Sequence, residues 1–351
     1  MSLQQAILCG LTAVFTILTF LPFIKSPKWF IRVWDYPRFQ MFGIILVVII
    51  LSIPIIEWNE TTNLICISIL FLDLIYLSWM VYPYSTFSKK MVEKESSQNP
   101  KYSIKLLTCN VYQYNKHYIQ TLHCIYKSNP DVVFLLETDK NWRNSVQVLK
   151  EKYPYAIEIP KENTYGMLFY SKFPIKQQTI NYLIDDEIPS IIVDLNVHGK
   201  TVRLYGIHPT PPVPQENPES TDRDAEILIV GKKSKDFDGP SIVFGDLNDV
   251  AWSHTTRLFL RISGMLDPRI GRGMYSTFHA KYSLLRWPLD HFFVSSHFRL
   301  IDLKVEDFVN SDHFPISVTL SLRTEDKEKE LEASADDVEE ANEIIEEAKE
   351  K

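Results

Sequence analysis

The sequence predicts an α/β layered domain carried behind three transmembrane helices. Three observations predict it. Long uncharged runs recur within the first 84 residues. From about residue 102 to 323, short apolar, strand-like runs alternate with loops and some helical stretches. Carboxylates, amides and imidazoles sit in short polar clusters beside those runs. At 351 residues the chain exceeds the usual size of one domain, so an added part is expected.

The anchor comes first, over residues 1–84. No charged side chain occurs between Met1 and Lys25, and the run 6–24 is long enough to cross a bilayer, which takes about 20 apolar residues. Further runs cover residues 39–56 and 64–84, the last interrupted only by Asp73, which is expected to pair with a neighbouring helix. The start Met1-Ser2-Leu3-Gln4-Gln5 has neither the basic residues nor the cleavage site of a signal peptide. Between the first two runs lie Lys25, Lys28, Arg32 and Arg38 against Asp35, and after the third come Lys89, Lys90 and Lys94. The loop 57–63 carries only acids. Positive-inside bias then puts the N-terminus outside a bacterial-type cell membrane and everything after Tyr84 in the cytoplasm. Trp79, Tyr82 and Tyr84 suit an aromatic belt at that exit.

Residues 85–101 are polar and suit a linker. Strands are predicted over 103–109, 132–136, 167–170, 191–197, 201–207, 242–244, 291–295 and 316–322, with helices over 118–128 and 221–233. That order suggests sheets packed together with helices outside. The tail 324–351 is acidic and without aromatics, expected as a solvated helix or a disordered segment.

Charge narrows the partners. Residues 325–351 hold 13 acidic and 4 basic side chains, a net of −9 within a chain total of −7, which leaves +2 for everything before. No broad basic surface of the kind that marks a dedicated nucleic-acid binder is present. Cys9, Cys66, Cys109 and Cys124 form no metal-binding spacing and read as small buried hydrophobes.

Six polar clusters carry the candidate chemistry: Asn110, Glu137, His208, Asp246 with Asn248, Asp290 beside His291, and Asp312 with His313. Each is read as lying at a strand end, and strand alternation would point Asp246 and Asn248 into one site with Leu247 behind them. By the same alternation His291 faces away from Asp290 and is structural. Oxygen ligands beside an imidazole suit a hard metal ion and a phosphate.

In this order, Asn110, Glu137, His208, Gly245-Asp246-Leu247-Asn248, Leu289-Asp290-His291 and Ser311-Asp312-His313-Phe314-Pro315 resemble the endonuclease/exonuclease/phosphatase superfamily, over about residues 102–323. That group includes deoxyribonuclease-like nucleases, apurinic endonucleases, bacterial sphingomyelinases and inositol-polyphosphate phosphatases. The resemblance implies a four-layer α/β sandwich, two packed mixed β-sheets flanked by helices, and Mg²⁺-dependent phosphoester hydrolysis, with Mn²⁺ or Ca²⁺ as alternatives. It implies Glu137 as the principal metal carboxylate, with Asn110 and Asp312 near the ion. Asp246 would orient or deprotonate water, Asn248 would hold phosphate or that water, and His313, paired with Asp290, would face the phosphate. His208 matches a second histidine for leaving-group protonation or phosphate contact. Two positions depart from the pattern: Tyr112 stands where apurinic endonucleases tend to have Asp, and 163–166 offers no Glu partner for His208, Glu162 being the nearest.

Arg223, on the 221–233 helix, is placed either to reach a substrate phosphate or in solvent, and His254 and His279 are weaker loop candidates. The expected function is a membrane-anchored phosphodiesterase or phosphatase acting on a lipid, inositol phosphate or nucleic-acid phosphoester. A nuclease is the alternative. An inactive membrane scaffold of the same fold would have lost one of Glu137, Asp246, Asn248, Asp290 or His313, and all are present.

Overall fold

The computed structural model describes residues 1–97, 102–323 and 330–350. Helices α1 (Leu3–Phe20), α2 (Trp29–Arg32), α3 (Arg38–Ser52) and α4 (Thr61–Val81) come first. Then follow β1 (Ser103–Asn110), α5 (Tyr118–Ser128), β2 (Val132–Leu136), α6 (Lys140–Ser145), β3 (Tyr155–Ile159), β4 (Met167–Ser171) and β5 (Ile175–Tyr182). The chain continues through β6 (Pro189–Val197), β7 (Lys200–Ile207), α7 (Thr221–Lys235), β8 (Ser241–Asp246) and α8 (His254–Ser263). It closes with β9 (Asp290–Val294), β10 (Phe298–Val305), β11 (Ile316–Leu322) and α9 (Ala335–Lys349).

The strands make two mixed sheets, ordered β10-β11-β1-β2-β4-β3 and β5-β6-β7-β8-β9. In each, one pair is parallel (β1 with β2, β7 with β8) and the others are antiparallel. Side chains alternate across each strand, so Val132, Phe134 and Leu136 enter the space between the sheets while Val133 and Leu135 face out. Ile191, Val193, Leu204, Ile242 and Phe244 meet them from the second sheet. Outside the first sheet, Cys124 and Ile125 of α5 and Trp142 of α6 cover Leu107, Val133 and Leu135. Outside the second, α7, α8 and α9 cover Tyr205, Val243 and Phe293. The four-layer sandwich is thus the observed fold.

This topology gathers one edge. Parallel β1 and β2 end together at Asn110 and Leu136, and parallel β7 and β8 end together at Ile207 and Asp246. Antiparallel β9 starts at that edge, its Asp290 opposite Asp246 in the register.

Several expectations are corrected. Asp312 and His313 do not follow a strand; they lie in the loop that enters β11, and Asp290 opens β9 instead of ending a strand. Strands β3, β5 and β10 escaped the sequence reading because their apolar alternation is broken. Most of β5 is exposed and polar, and β10 shifts register between Leu300 and Asp302. His254 opens helix α8 and is not in a loop. The second expected span, 39–56, is helical only over the 15 residues of α3, which bends by 70° from the segment Trp29–Asp35. Taken as one crossing, that bent pair makes a third candidate span, as expected. Two helices are long and apolar enough to cross a membrane, Leu3–Phe23 and Thr61–Tyr84. Part of the expected linker, 98–101, and the tail residues 324–329 lie outside the described residues.

The apolar helices pack through Leu8, Met41, Ile45, Leu70, Leu74 and Leu77. Thr16 donates its hydroxyl to Asp73 at 2.8 Å, giving that buried carboxyl its neighbouring-helix partner. The described part of the tail is docked, not free: α9 buries Ala341, Ile345 and Ala348 against the second sheet's helices.

Candidate active site

The gathered strand ends bring the candidate side chains into one cleft of about 540 Å³, with Asn110, Glu137, His208, Asp246, Asn248, Asp312 and His313 among its lining. Backbone geometry aims several of them. Gly245 has φ +138°, and a Cβ there would stand 2.0 Å from the Ile207 carbonyl, so only glycine lets β8 run this close to β7 and deliver Asp246. The strand then stops. Asn248 has φ +51° and reaches the cleft by a left-handed turn, not by strand alternation, which corrects the expected reason for its placement. Glu137 has φ +57°, again a conformation that side-chain-bearing residues rarely adopt and that recurs at functional sites.

Hydrogen bonds knit the cluster. The Asn110 amide nitrogen donates to Glu137 Oε1 at 2.7 Å and to Asp246 Oδ2 at 3.1 Å, while its oxygen accepts from the Tyr112 backbone N–H at 3.0 Å. Asn110 therefore holds two carboxylates in register and turns its nitrogen toward them. The Gln113 backbone N–H donates to Glu137 Oε2 at 3.2 Å. Ser311 donates its hydroxyl to the Asn110 carbonyl at 2.8 Å, tying the Asp312–His313 loop to the end of β1. The Asn248 amide donates to the Pro209 carbonyl at 2.9 Å.

His313 Nδ1 lies 2.8 Å from Asp290 Oδ2, and its Nε2 lies 3.5 Å from Asp246 Oδ2. Burial works against a charged ring, but the carboxylates of Asp246 and Asp290 outweigh it and push the His313 pKa up to about 10. On the other side of Asp246, His208 Nε2 stands at 3.8 Å, and burial pulls that ring below its ordinary pKa despite the same carboxylate. Neighbouring carboxylates thus raise one buried imidazole while burial lowers the other. Burial also raises Asp246. It raises Glu137 to about 7, with the Asn110 amide countering and Asp312 adding to the rise.

Asp246 is buried and Glu137 half-buried, and Glu137 stands close enough to Asp312 to feel its charge. An all-oxygen set of this kind fits a hard divalent cation. Asp246, Asp290 and His313 also have ligand atoms within 4.8 Å of one another. There the imidazole also bonds Asp290, while Glu137 and Asp312 line the same cleft.

Other candidates fall elsewhere. Arg223 is neither in solvent nor in the cleft lining. It is buried, donates to Asp224 at 2.7 Å and to the Asn248 carbonyl at 2.8 Å, and lies 3.5 Å from Asp249. His254 pairs with Glu340 of α9 at 3.0 Å, away from the cleft. His291 is buried between Arg269 and the Asp249 carbonyl, as a structural residue. Glu162 does not partner His208; its carbonyl takes a hydrogen bond from Gln113. Beside the His208 ring lies Tyr165, at 5.5 Å between centroids, whose hydroxyl donates to Glu216. Sequence reasoning missed Tyr165 and Glu216, and it missed Phe278, Trp287 and, from the segment between the first two apolar helices, Val33, Trp34, Tyr36 and Pro37, all of which line the cleft. None carries a strand-end or motif signature.

A family model described as the Endonuclease/Exonuclease/phosphatase family matches residues 107–313, more than half of the chain and the stretch that holds every polar candidate above. No curated protein matches the sequence. Among solved structures, D. rerio TDP2 complexed with a single-strand DNA product is 17% identical with a TM-score of 0.51, covering 62% of this chain and 99% of that one. The endonuclease/exonuclease/phosphatase from Bacteroides vulgatus is 18% identical with a TM-score of 0.51, covering 64% and 100%. That from Beutenbergia cavernae is 16% identical with a TM-score of 0.51, covering 63% and 72%. At these identities the likeness is one of fold.

Proposed function

The chain belongs to the endonuclease/exonuclease/phosphatase family, and on that premise we propose that it is a membrane-anchored, Mg²⁺-dependent phosphoester hydrolase. The observation that carries this reading is the convergence of Glu137, Asp246 and Asp312 with the Asp290–His313 pair at one end of the two-sheet sandwich. Glu137 and Asp312 would hold the ion, which when bound neutralises charge on phosphoryl oxygens and stabilises the leaving oxygen.

The protein's own groups do the rest. Asp246 orients the attacking water and takes its proton as the new P–O bond forms and the ester P–O bond breaks. Asn248 holds the water or a phosphate oxygen. His313, kept cationic by its two carboxylates, donates a charge-assisted hydrogen bond to the phosphate. His208, kept neutral, offers a hydrogen bond without adding charge. Membrane attachment rests on Leu3–Phe23, Thr61–Tyr84 and the bent pair Trp29–Asp35 with Arg38–Ser52 taken as one span, and the cytoplasmic placement of the domain, which takes an odd number of crossings, rests on loop charge.

The test is hydrolysis by the detergent-solubilised full chain of phospholipids, inositol phosphates and single-strand DNA, with EDTA or with Mg²⁺, Mn²⁺ or Ca²⁺. Activity is expected with Mg²⁺, lost in EDTA and reduced by about 10²-fold or more in His313→Ala and Asp246→Ala. Full activity in either variant sinks the site assignment. Cleavage of DNA alone selects the nuclease reading.

A further inference from the structure

We propose that the segment joining the first two apolar helices is a wall of the active site, and that it makes the enzyme selective for an amphiphilic phosphoester drawn from the bilayer. This rests on the hydrolase reading above and names its substrate class. Val33, Trp34, Tyr36 and Pro37 line the same cleft as Glu137 and His313. They are held there by specific bonds. The Tyr36 hydroxyl donates to the Asn248 carbonyl at 2.7 Å, so an anchor residue touches the backbone of a catalytic candidate. The Trp252 indole N–H donates to the Asp35 carbonyl at 2.7 Å. Lys28 bridges Glu219 in antiparallel fashion, with Trp29 N–H donating to the Pro218 carbonyl at 2.9 Å and Ser220 N–H to the Pro27 carbonyl at 2.8 Å. The cleft is incomplete without this segment.

A second observation concerns the mouth. The turn 282–286 presents Leu284 and Leu285, 82% and 51% exposed, and Gln40 of α3 donates to the Leu284 carbonyl at 3.0 Å. Exposed Phe30, Val33 and Phe39 belong to the same stretch of chain, between the end of α1 and the first turn of α3. Apolar side chains exposed beside the start of an apolar helix suit the interfacial zone of a bilayer. The turn therefore places part of the catalytic domain at the lipid surface beside the cleft.

The lining selects the occupant. Phosphate faces the polar floor, while Val33, Trp34, Pro37, Phe278 and Trp287 offer an apolar surface beyond it. Among the described residues lining the cleft there is no Lys or Arg. A polyphosphorylated inositol or a nucleic-acid strand would bring several phosphates to a lining with no Lys or Arg to meet them. A lipid brings one phosphate and a hydrocarbon or glycerol portion that such walls accept.

The experiment uses the full chain with Mg²⁺ in phosphatidylcholine nanodiscs. Phosphatidic acid, phosphatidylglycerol or sphingomyelin is added as lipid substrate, and p-nitrophenyl phosphate with its bis ester serves as soluble substrate. Phe30→Asn and Leu284→Ser alter exposed side chains of the segment and the turn that do not line the cleft, and their melting temperatures report folding. The expected result is a fall of about tenfold in kcat/KM toward the preferred lipid, with soluble esters within about twofold of the parent. An equal loss on both substrate classes, or no loss on lipid, overturns the wall as a selectivity element. Hydrolysis of soluble esters but of no lipid overturns the substrate class while leaving the hydrolase reading standing. Failure of the parent chain on every ester removes the hydrolase reading itself.

Discussion

Burial without a matched partner is what tunes this protein's ionisable groups, and the same physics acts with opposite results on neighbours. His313 and His208 both flank Asp246, yet only His313 has a second carboxylate, Asp290, and only its pKa is raised. Glu226 of α7 shows the effect away from the cleft. Burial, assisted by the charge of Asp185, lifts its carboxyl from 4.5 to about 8. The fold thus favours the protonated acid. Its contribution to stability is fully present below 4.5 and is lost as pH rises toward about 8. The melting temperature is expected to fall between about pH 5 and pH 8, a loss on the order of a few kcal/mol from this group. In Glu226→Gln the slope should be shallower across that window, as read by calorimetry. An unchanged slope would mean that Glu226 ionises without cost in the folded chain.

At the scale of elements, strand ends were legible and their directions were not. Asn110, Glu137, His208 and Asp246 follow clean apolar runs, so their strands and their shared edge follow from pattern and parallel pairing. Asp312 and His313 precede β11, and nothing in the local pattern distinguishes a strand's entrance from its exit. The tail misled for a different reason. Its composition is that of a solvated segment, but Ala341, Ile345 and Ala348 share one helical face, and Ser334 with Asp337 forms a capping box that starts the helix. Arg261 of α8 then binds Asp337 at 2.9 Å, and His254 binds Glu340 at 3.0 Å. Apolar contact is the larger contribution, because these pairs are partly exposed and screened. Ile345→Asp is therefore expected to cost about 2 kcal/mol or more and to release α9, seen as new proteolysis after residue 323. Unchanged melting and protection would show that the docked face contributes nothing.

On the scale of the whole molecule, the apolar N-terminal helices and the α/β sandwich pack together, which no property of either segment's sequence announces. The apolar runs 6–24 and 64–84 read as an address, and the polar clusters as a separate machine. The join is made by residues with no motif: Met80 and Tyr84 pack against Val250, Ala251, Trp252 and Leu289. The Tyr84 hydroxyl donates to the Ala251 carbonyl at 2.6 Å, and Trp252 bonds the Asp35 carbonyl. Val250 and Ala251 directly follow the Gly245–Asp249 turn, so the end of α4 and Tyr84 brace the loop that carries Asp246 and Asn248. Removing residues 1–84 would expose the fully buried Trp252 and its neighbours and cancel the Tyr36 bond to Asn248. Each such apolar side chain returned to water costs about 1.5–3 kcal/mol. A fragment beginning at residue 85 is expected to melt at least several degrees below the full chain, to associate without detergent, and to lose turnover of soluble esters by about tenfold. If the fragment instead stays monomeric with the full chain's melting temperature and kcat, the anchor is a tether only, and the brace on Asp246 and Asn248 has no energetic content.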